Sequence, residues 1–130
     1  MTSGLIAAYR RTSYEADGAR ARIGRRSAAI DALLLRLCMR EGAFVTAWNP
    51  FSQKMPRGWN DRMRARLREA AHRLPQAEGA GGAGGWEERH LLIAGDARRI
   101  AVLGRRFRQV AIVAVRRGQR ARLVLLQPQR

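Results

Sequence analysis

Gly79-Ala80-Gly81-Gly82-Ala83-Gly84-Gly85 lies between a helical pattern that ends near Leu74-Pro75 and an apolar run that begins at His90. Its reading sets the expected fold. Gly79, Gly81 and Gly84 match the G-x-G-x-x-G spacing, but a dinucleotide fingerprint follows a strand and opens a helix. This run follows a helix and precedes a strand. It also lacks the Gly-Lys-Ser/Thr ending of a phosphate-binding loop. It reads as a flexible connector.

Upstream of it, Asn60 is positioned to cap a helix running to about Leu74, with Met63, Leu67, Ala70 and Leu74 on one face. Before that come a loop with Phe51, Ser52, Pro56 and Gly58 and a short apolar strand, Ala43 to Ala47. Pro50 ends the strand and pushes Asn49 toward an extended or turn conformation. Ser27 offers an N-cap to a helix in which Ile30, Leu33, Leu34, Leu37 and Cys38 form an apolar stripe, with Gly42 as its stop. Asp17-Gly18 reads as the turn of a first hairpin between Thr12–Ala16 and Ala19–Ile23. Downstream, His90 to Ala94 is a strand, and Asp96 caps a helix with Ile100, Leu103 and Phe107 inward. Val110–Val115 and Ala121–Leu126 form a hairpin around Arg117-Gly118.

Strands alternating with helices favour parallel crossover units. The expectation is therefore an α/β (α+β) fold: one mixed sheet of about five or six strands, three helices, and β-hairpins at both ends. The chain has 130 residues, 46% of them hydrophobic, enough for one core. Residues 1–130 read as a single domain with a core at about 8–126. No apolar run approaches the roughly 20 residues that cross a bilayer. Leu5 to Ala8 before Tyr9-Arg10-Arg11 is too short for a secretory signal, so a cytoplasmic protein is expected. Cys38 is the only cysteine and reads as a buried thiol.

The net charge is +16, from 26 basic and 10 acidic side chains, and Lys54 is the only lysine. Such a charge attracts polyanions. The arginines of the Asn60–Leu74 helix spread around its exposed side and define no single stripe. Trp48, Phe51, Trp59 and Trp86 fall near Arg57, Arg62 and Arg89. Aromatics between arginines can stack nucleic-acid bases, and they can equally roof a core. His72 and His90 have no His or Cys neighbour at metal-ligand spacing, so neither a metal nor a cofactor is expected. No Gly-x-Ser-x-Gly elbow accompanies them.

Thr46 to Asn60 carries more. Thr46 and Asn49 sit near a strand exit and Asn60 at a helix start, where backbone N–H groups suit an anion. Glu87 or Glu88 could add a carboxylate, if an antiparallel strand or a bending glycine loop brings it across. The ordinary reading is local: a turn at Asn49-Pro50, a cap at Asn60 and a solvated Glu87.

The chain resembles a bacterial family called domain of unknown function 3293. The resemblance runs from about Ala8 to Leu126. Its markers are Ala8-Tyr9, Thr12, Tyr14 and Ile23-Gly24, then Phe44-Val45-Thr46-Ala47-Trp48-Asn49-Pro50 with Asn60. Trp86-Glu87-Glu88 with Leu91-Leu92 and Arg106-Phe107-Arg108-Gln109 with Ala111-Ile112 complete them. The resemblance implies a compact domain and no stated activity. It adds Gln109 to the candidate residues and strengthens Glu87. The family look has a small residue, often glycine, where this chain has Arg108, and its motif does not include the arginine excess.

Three functions follow as expectations. The first is a small polar or anionic ligand held by Thr46, Asn49, Asn60 and Gln109, with Glu87 as the acid/base group if there is chemistry. The second is nucleic-acid binding through Arg57, Arg62, Arg89 and Trp59. The third is assembly with a partner through the edge strand Ala121–Leu126.

Overall fold

The computed structural model describes residues 3–49, 53–83 and 86–126. Pro50, Phe51, Ser52, Gly84 and Gly85 lie outside the described residues, as does the Trp86 side chain. The elements are α1 (Ser3–Arg11), β1 (Ser13–Ala16), β2 (Ala19–Ala21), α2 (Ala28–Arg36), β3 (Glu41–Val45), α3 (Arg57–Ala70), β4 (Gln76–Ala83), β5 (Trp86–Ala94), α4 (Ala97–Arg106), β6 (Ala111–Arg116) and β7 (Arg122–Leu125). The strands form one seven-stranded sheet in the order β2-β1-β4-β5-β3-β6-β7.

Every strand pairing is antiparallel. Seven alternating strands leave the two edge strands running the same way. The edges meet accordingly through a parallel bridge between Ile23 and Ala121. The Gly24 N–H donates to the Ala121 carbonyl at 2.8 Å, and the Ala121 N–H donates to the Arg25 carbonyl at 3.0 Å. The sheet is thus a half-barrel pinched shut at one end and open at the other.

Side chains alternate between its faces. Inside, Ile30, Leu33 and Leu34 of α2 pack on Ala16, Phe44, Leu92 and Val113. Outside, Leu67 of α3 and Ile100 and Phe107 of α4 cover Val45, Leu91, Ile93 and Ile112. On β5, Leu91 and Ile93 therefore face outward and Leu92 inward.

The expected parallel crossovers are absent, because Gly79 to Ala83 of the glycine run are strand and not loop. β4 pairs with β5 from Gln76↔Ile93 to Ala83↔Trp86, and with β1 on its other side. Two glycines explain why so poor a strand former serves here. A Cβ on Gly79 would run into the backbone carbonyl of Glu15. A Cβ on Gly81 would lie 2.7 Å from the His90 ring and 3.1 Å from Tyr14. Missing side chains let β1 and β5 close over β4. The extra helix is α1, which ends where the Thr12 hydroxyl and N–H both donate to the Ala8 carbonyl, at 2.8 and 3.2 Å.

Helix starts at Ser27 and Asp96 are as expected: Ser27 Oγ accepts from the Ile30 N–H and Asp96 Oδ1 from the Arg98 N–H. The expected cap at Asn60 is not one. α3 begins a turn earlier, with Pro56 at its N-cap, and the Asn60 N–H makes an ordinary helical bond to the Pro56 carbonyl at 3.0 Å. Gly42 does not stop α2; it lies inside β3. The stop is Cys38, at φ +59° and exposed, not buried. Met39 N–H donates to the Leu34 carbonyl and Cys38 N–H to Leu35, a Schellman closure. α4 ends the same way, with Gln109 N–H on Gly104, Arg108 N–H on Arg105, and Arg108 at φ +58°. That geometry accounts for the glycine expected there. Arg108→Gly is therefore expected to stabilise the fold by about 1 kcal/mol by relieving a left-handed residue. A higher denaturant midpoint at unchanged slope is the readout.

Candidate functional site

The open end of the half-barrel forms a cleft of about 740 Å³. α1 contributes Leu5, Ala8 and Tyr9 to it, β1 Tyr14, β3 Phe44, and β6 Ala111 and Val113. Thr46, Asn49, Asn60, Glu87 and Gln109, selected from sequence, all line this cleft. Antiparallel pairing brings them together. Val45 faces Leu91, so the exit of β3 lies beside the start of β5.

What these residues do there is chiefly local. The Thr46 hydroxyl donates to the Arg89 carbonyl at 2.7 Å and accepts the Trp48 N–H at 3.0 Å. Asn60, buried, accepts the Asn49 N–H at Oδ1 (3.0 Å) and donates from Nδ2 to Asn49 Oδ1 (3.0 Å) and the Met55 carbonyl (3.2 Å). Asn49 Oδ1 also accepts the Met55 N–H at 2.9 Å. Asn49 has φ +49°, a conformation asparagine tolerates better than most residues. The Gln109 amide donates to the carbonyls of Trp48 (3.0 Å) and Phe107 (3.2 Å). The α4 closure at Arg108 thus aims Gln109 across the molecule at the 46–55 loop.

This network ends on Glu88. The Asn49 side chain hydrogen-bonds its carboxyl and works to lower its pKa. Burial outweighs that and raises it above the usual carboxylate range. No cation pairs with Glu88 among the described residues. Glu87 lines the same cleft but is exposed.

Beside Glu88 stand groups that sequence reasoning left out. Gly81 pairs with Tyr14 on one side and Glu88 on the other. Into the space it leaves comes His90, its ring edge-on to Tyr14 with centroids 5.5 Å apart. Burial lowers the His90 pKa to about 4, partly offset by a hydrogen bond with the Glu88 carbonyl. A carbonyl only accepts, so His90 Nδ1, 3.0 Å away, carries the proton and Nε2 holds the lone pair. Burial, then Tyr9, raises the Tyr14 phenol above its ordinary range; the Thr12 hydroxyl opposes this, and Glu88 adds to it. The missed signal was parity: Glu88, His90 and Leu92 share one face of β5, and Glu87 and Arg89 the other.

Of the nucleic-acid candidates, Arg57 and Arg89 line the cleft, and Arg62 and Trp59 do not. The described residues hold no group of three or more His, Cys, Asp or Glu placed to hold a metal ion. They hold no helix long and apolar enough to cross a membrane.

A family model described as Protein of unknown function (DUF3293) matches residues 45–112, just over half of the chain. The chain belongs to this family. No curated protein and no solved structure matches it. The matched span of DUF3293 covers Thr46, Asn49, Asn60, Glu88, His90 and Gln109. Tyr9, Thr12 and Tyr14 lie outside that span yet line the same cleft.

Two outcomes test this geometry. Asn60→Ala strips a buried network of its hub and is expected to cost about 2 kcal/mol. Amide exchange should rise at Asn49 and Met55; unchanged protection there would refute the network. For His90, the unfolded chain takes its proton near 6.5 and the folded one at about 4. The unfolded state therefore binds more protons in between. The stability contributed by the neutral ring is complete above the ordinary value and is lost as pH falls toward 4. An NMR titration should find one imidazole still neutral at about pH 5.

Proposed function

We propose that this protein binds a small polar or anionic ligand in the cleft, with Glu88 as the carboxyl group that meets it. Glu87, the stronger sequence candidate, becomes a residue of the rim. The observation that carries this reading is the Glu88 carboxyl itself: half-buried, held by Asn49, and without a cation among the described residues of a chain this basic. Thr46, Asn49, Asn60 and Gln109 then act as positioning residues that hold the loop and the carboxyl. A carboxyl with a raised pKa is suited to accept a hydrogen bond when ionised, or to pass a proton if the ligand reacts.

A thermal-shift panel of small polar and anionic metabolites tests it. A hit should raise the Tm of the wild-type protein, and Glu88→Gln should abolish most of the shift while Glu87→Gln preserves it. A hit unaffected by Glu88→Gln would refute the site. For a ligand that donates to the ionised carboxyl, binding should strengthen as pH rises through the Glu88 value.

A second reading, nucleic-acid binding, draws on Arg57, Arg89 and Lys54 at the same cleft. It predicts a steep loss of affinity with salt, and loss of binding in an Arg57→Gln/Arg89→Gln variant but not in Arg62→Gln.

A further inference from the structure

We propose that the ligand is an aromatic or heteroaromatic anion, its ring among the aromatic walls of the cleft, a donor edge toward Glu88 and its anionic group toward Lys54 and Arg57. This rests on the reading just given and names the ligand class.

Three independent features of the cleft define that class. Its inner wall is aromatic: Tyr14, Phe44 and Trp48 line it, while Ala8 and Ala111 take up little room beside them. A flat ring fits such a slot, and offset or edge-on ring contacts add to its burial. A volume of about 740 Å³ suits a molecule of drug or metabolite size and is far larger than an inorganic anion needs.

Its innermost polar groups accept hydrogen bonds. Glu88 offers carboxylate oxygens, and His90 is fixed as the tautomer with its lone pair on Nε2. His90 is only 7% exposed. Ring N–H, amino or hydroxyl groups match these acceptors. The Trp48 indole Nε1 is buried without a hydrogen-bond partner among the described residues.

The remaining feature is a cationic border where α3 begins. Lys54 and Arg57 line the cleft there, both exposed, and the ion pair of Arg57 with Asp61 is a long surface contact at 3.8 Å. The first turn of α3 has no acidic residue, and Pro56 supplies no side-chain cap. The positive end of this 14-residue helix favours an anion.

Phosphate and carboxylate satisfy this border equally, so the experiment separates them. Calorimetric titrations at about 150 mM salt, where long-range attraction to the net charge is screened, would use six probes. Guanosine monophosphate and indole-3-acetate are the aromatic anions, guanosine and indole their neutral counterparts, and inorganic phosphate and succinate the non-aromatic anions. At least one aromatic anion should bind, its neutral counterpart roughly tenfold or more weaker. The double variant Lys54→Gln/Arg57→Gln should erase that difference. Arg62→Gln/Arg66→Gln, an equal change of charge on the exposed side of α3, should leave it intact. Equal binding of neutral and anionic partners, or equal loss in both double variants, would overturn the proposal. Glu88-dependent binding of phosphate or succinate alone would overturn it and leave the broader ligand reading standing, as would a Glu88-dependent panel hit of another class with all six probes silent. Absence of any Glu88-dependent ligand would end both.

Discussion

Gly79 and Gly81 bring β1 and β5 against β4 closer than any side chain would permit. Gly79 gives its space to the backbone of Glu15, and Gly81 gives its space to the rings of Tyr14 and His90. The consequences spread from there. β4 becomes the hinge strand of the sheet, the antiparallel order follows, and the half-barrel curls until Ile23 meets Ala121. Closure at that end uses α2 as filling. At the opposite end no helix of the described residues fills the space as α2 does, and the cleft lies there.

Holding a carboxyl in that cleft has a free-energy cost, since burial disfavours its charged form. The fold meets part of the cost with the Asn60–Asn49 pair, which couples the start of α3 to the exit of β3 and delivers one amide to Glu88. Gln109 fixes the other side of the same loop through the Trp48 carbonyl. Every group in this relay is polar and largely buried, so each is positioned by the others. A loop with only a turn to make would not need the buried amide of a helix to shape it.

The sequence was legible where one residue has one local job. Ser27 and Asp96 cap their helices, and Asp17-Gly18 and Arg117-Gly118 turn their hairpins, with φ positive at Asp17, Gly18 and Gly118. It was opaque where tertiary contact decides. Glycines in β4 carry no strand signal, because the pairing partners and not the residues make the strand. α1 has only Leu5 to Ala8 as an apolar run, too short to announce a helix that its packing supports. Choosing between Glu87 and Glu88 required the parity of β5, and that parity required knowing that the strand starts at Trp86 and not at His90. Asn60 meets Asn49 as a buried hub within α3 and not as a helix cap.

The charge balance sharpens the meaning of Glu88. This chain has only ten acidic side chains. Asp17, Glu41, Asp61 and Glu78 pair with arginines, and Glu78 alone takes both Arg64 and Arg68, joining α3 to β4. Glu15, Asp31 and Asp96 accept backbone N–H groups at turns and caps. With arginine so abundant, an unpaired carboxylate would ordinarily find a guanidinium at little cost. Glu88 is half-buried and finds an asparagine instead. An arginine in its place of contact would fill the cleft, hold the carboxylate fully ionised and remove its capacity to meet anything else. The neutral amide holds the carboxyl without neutralising it.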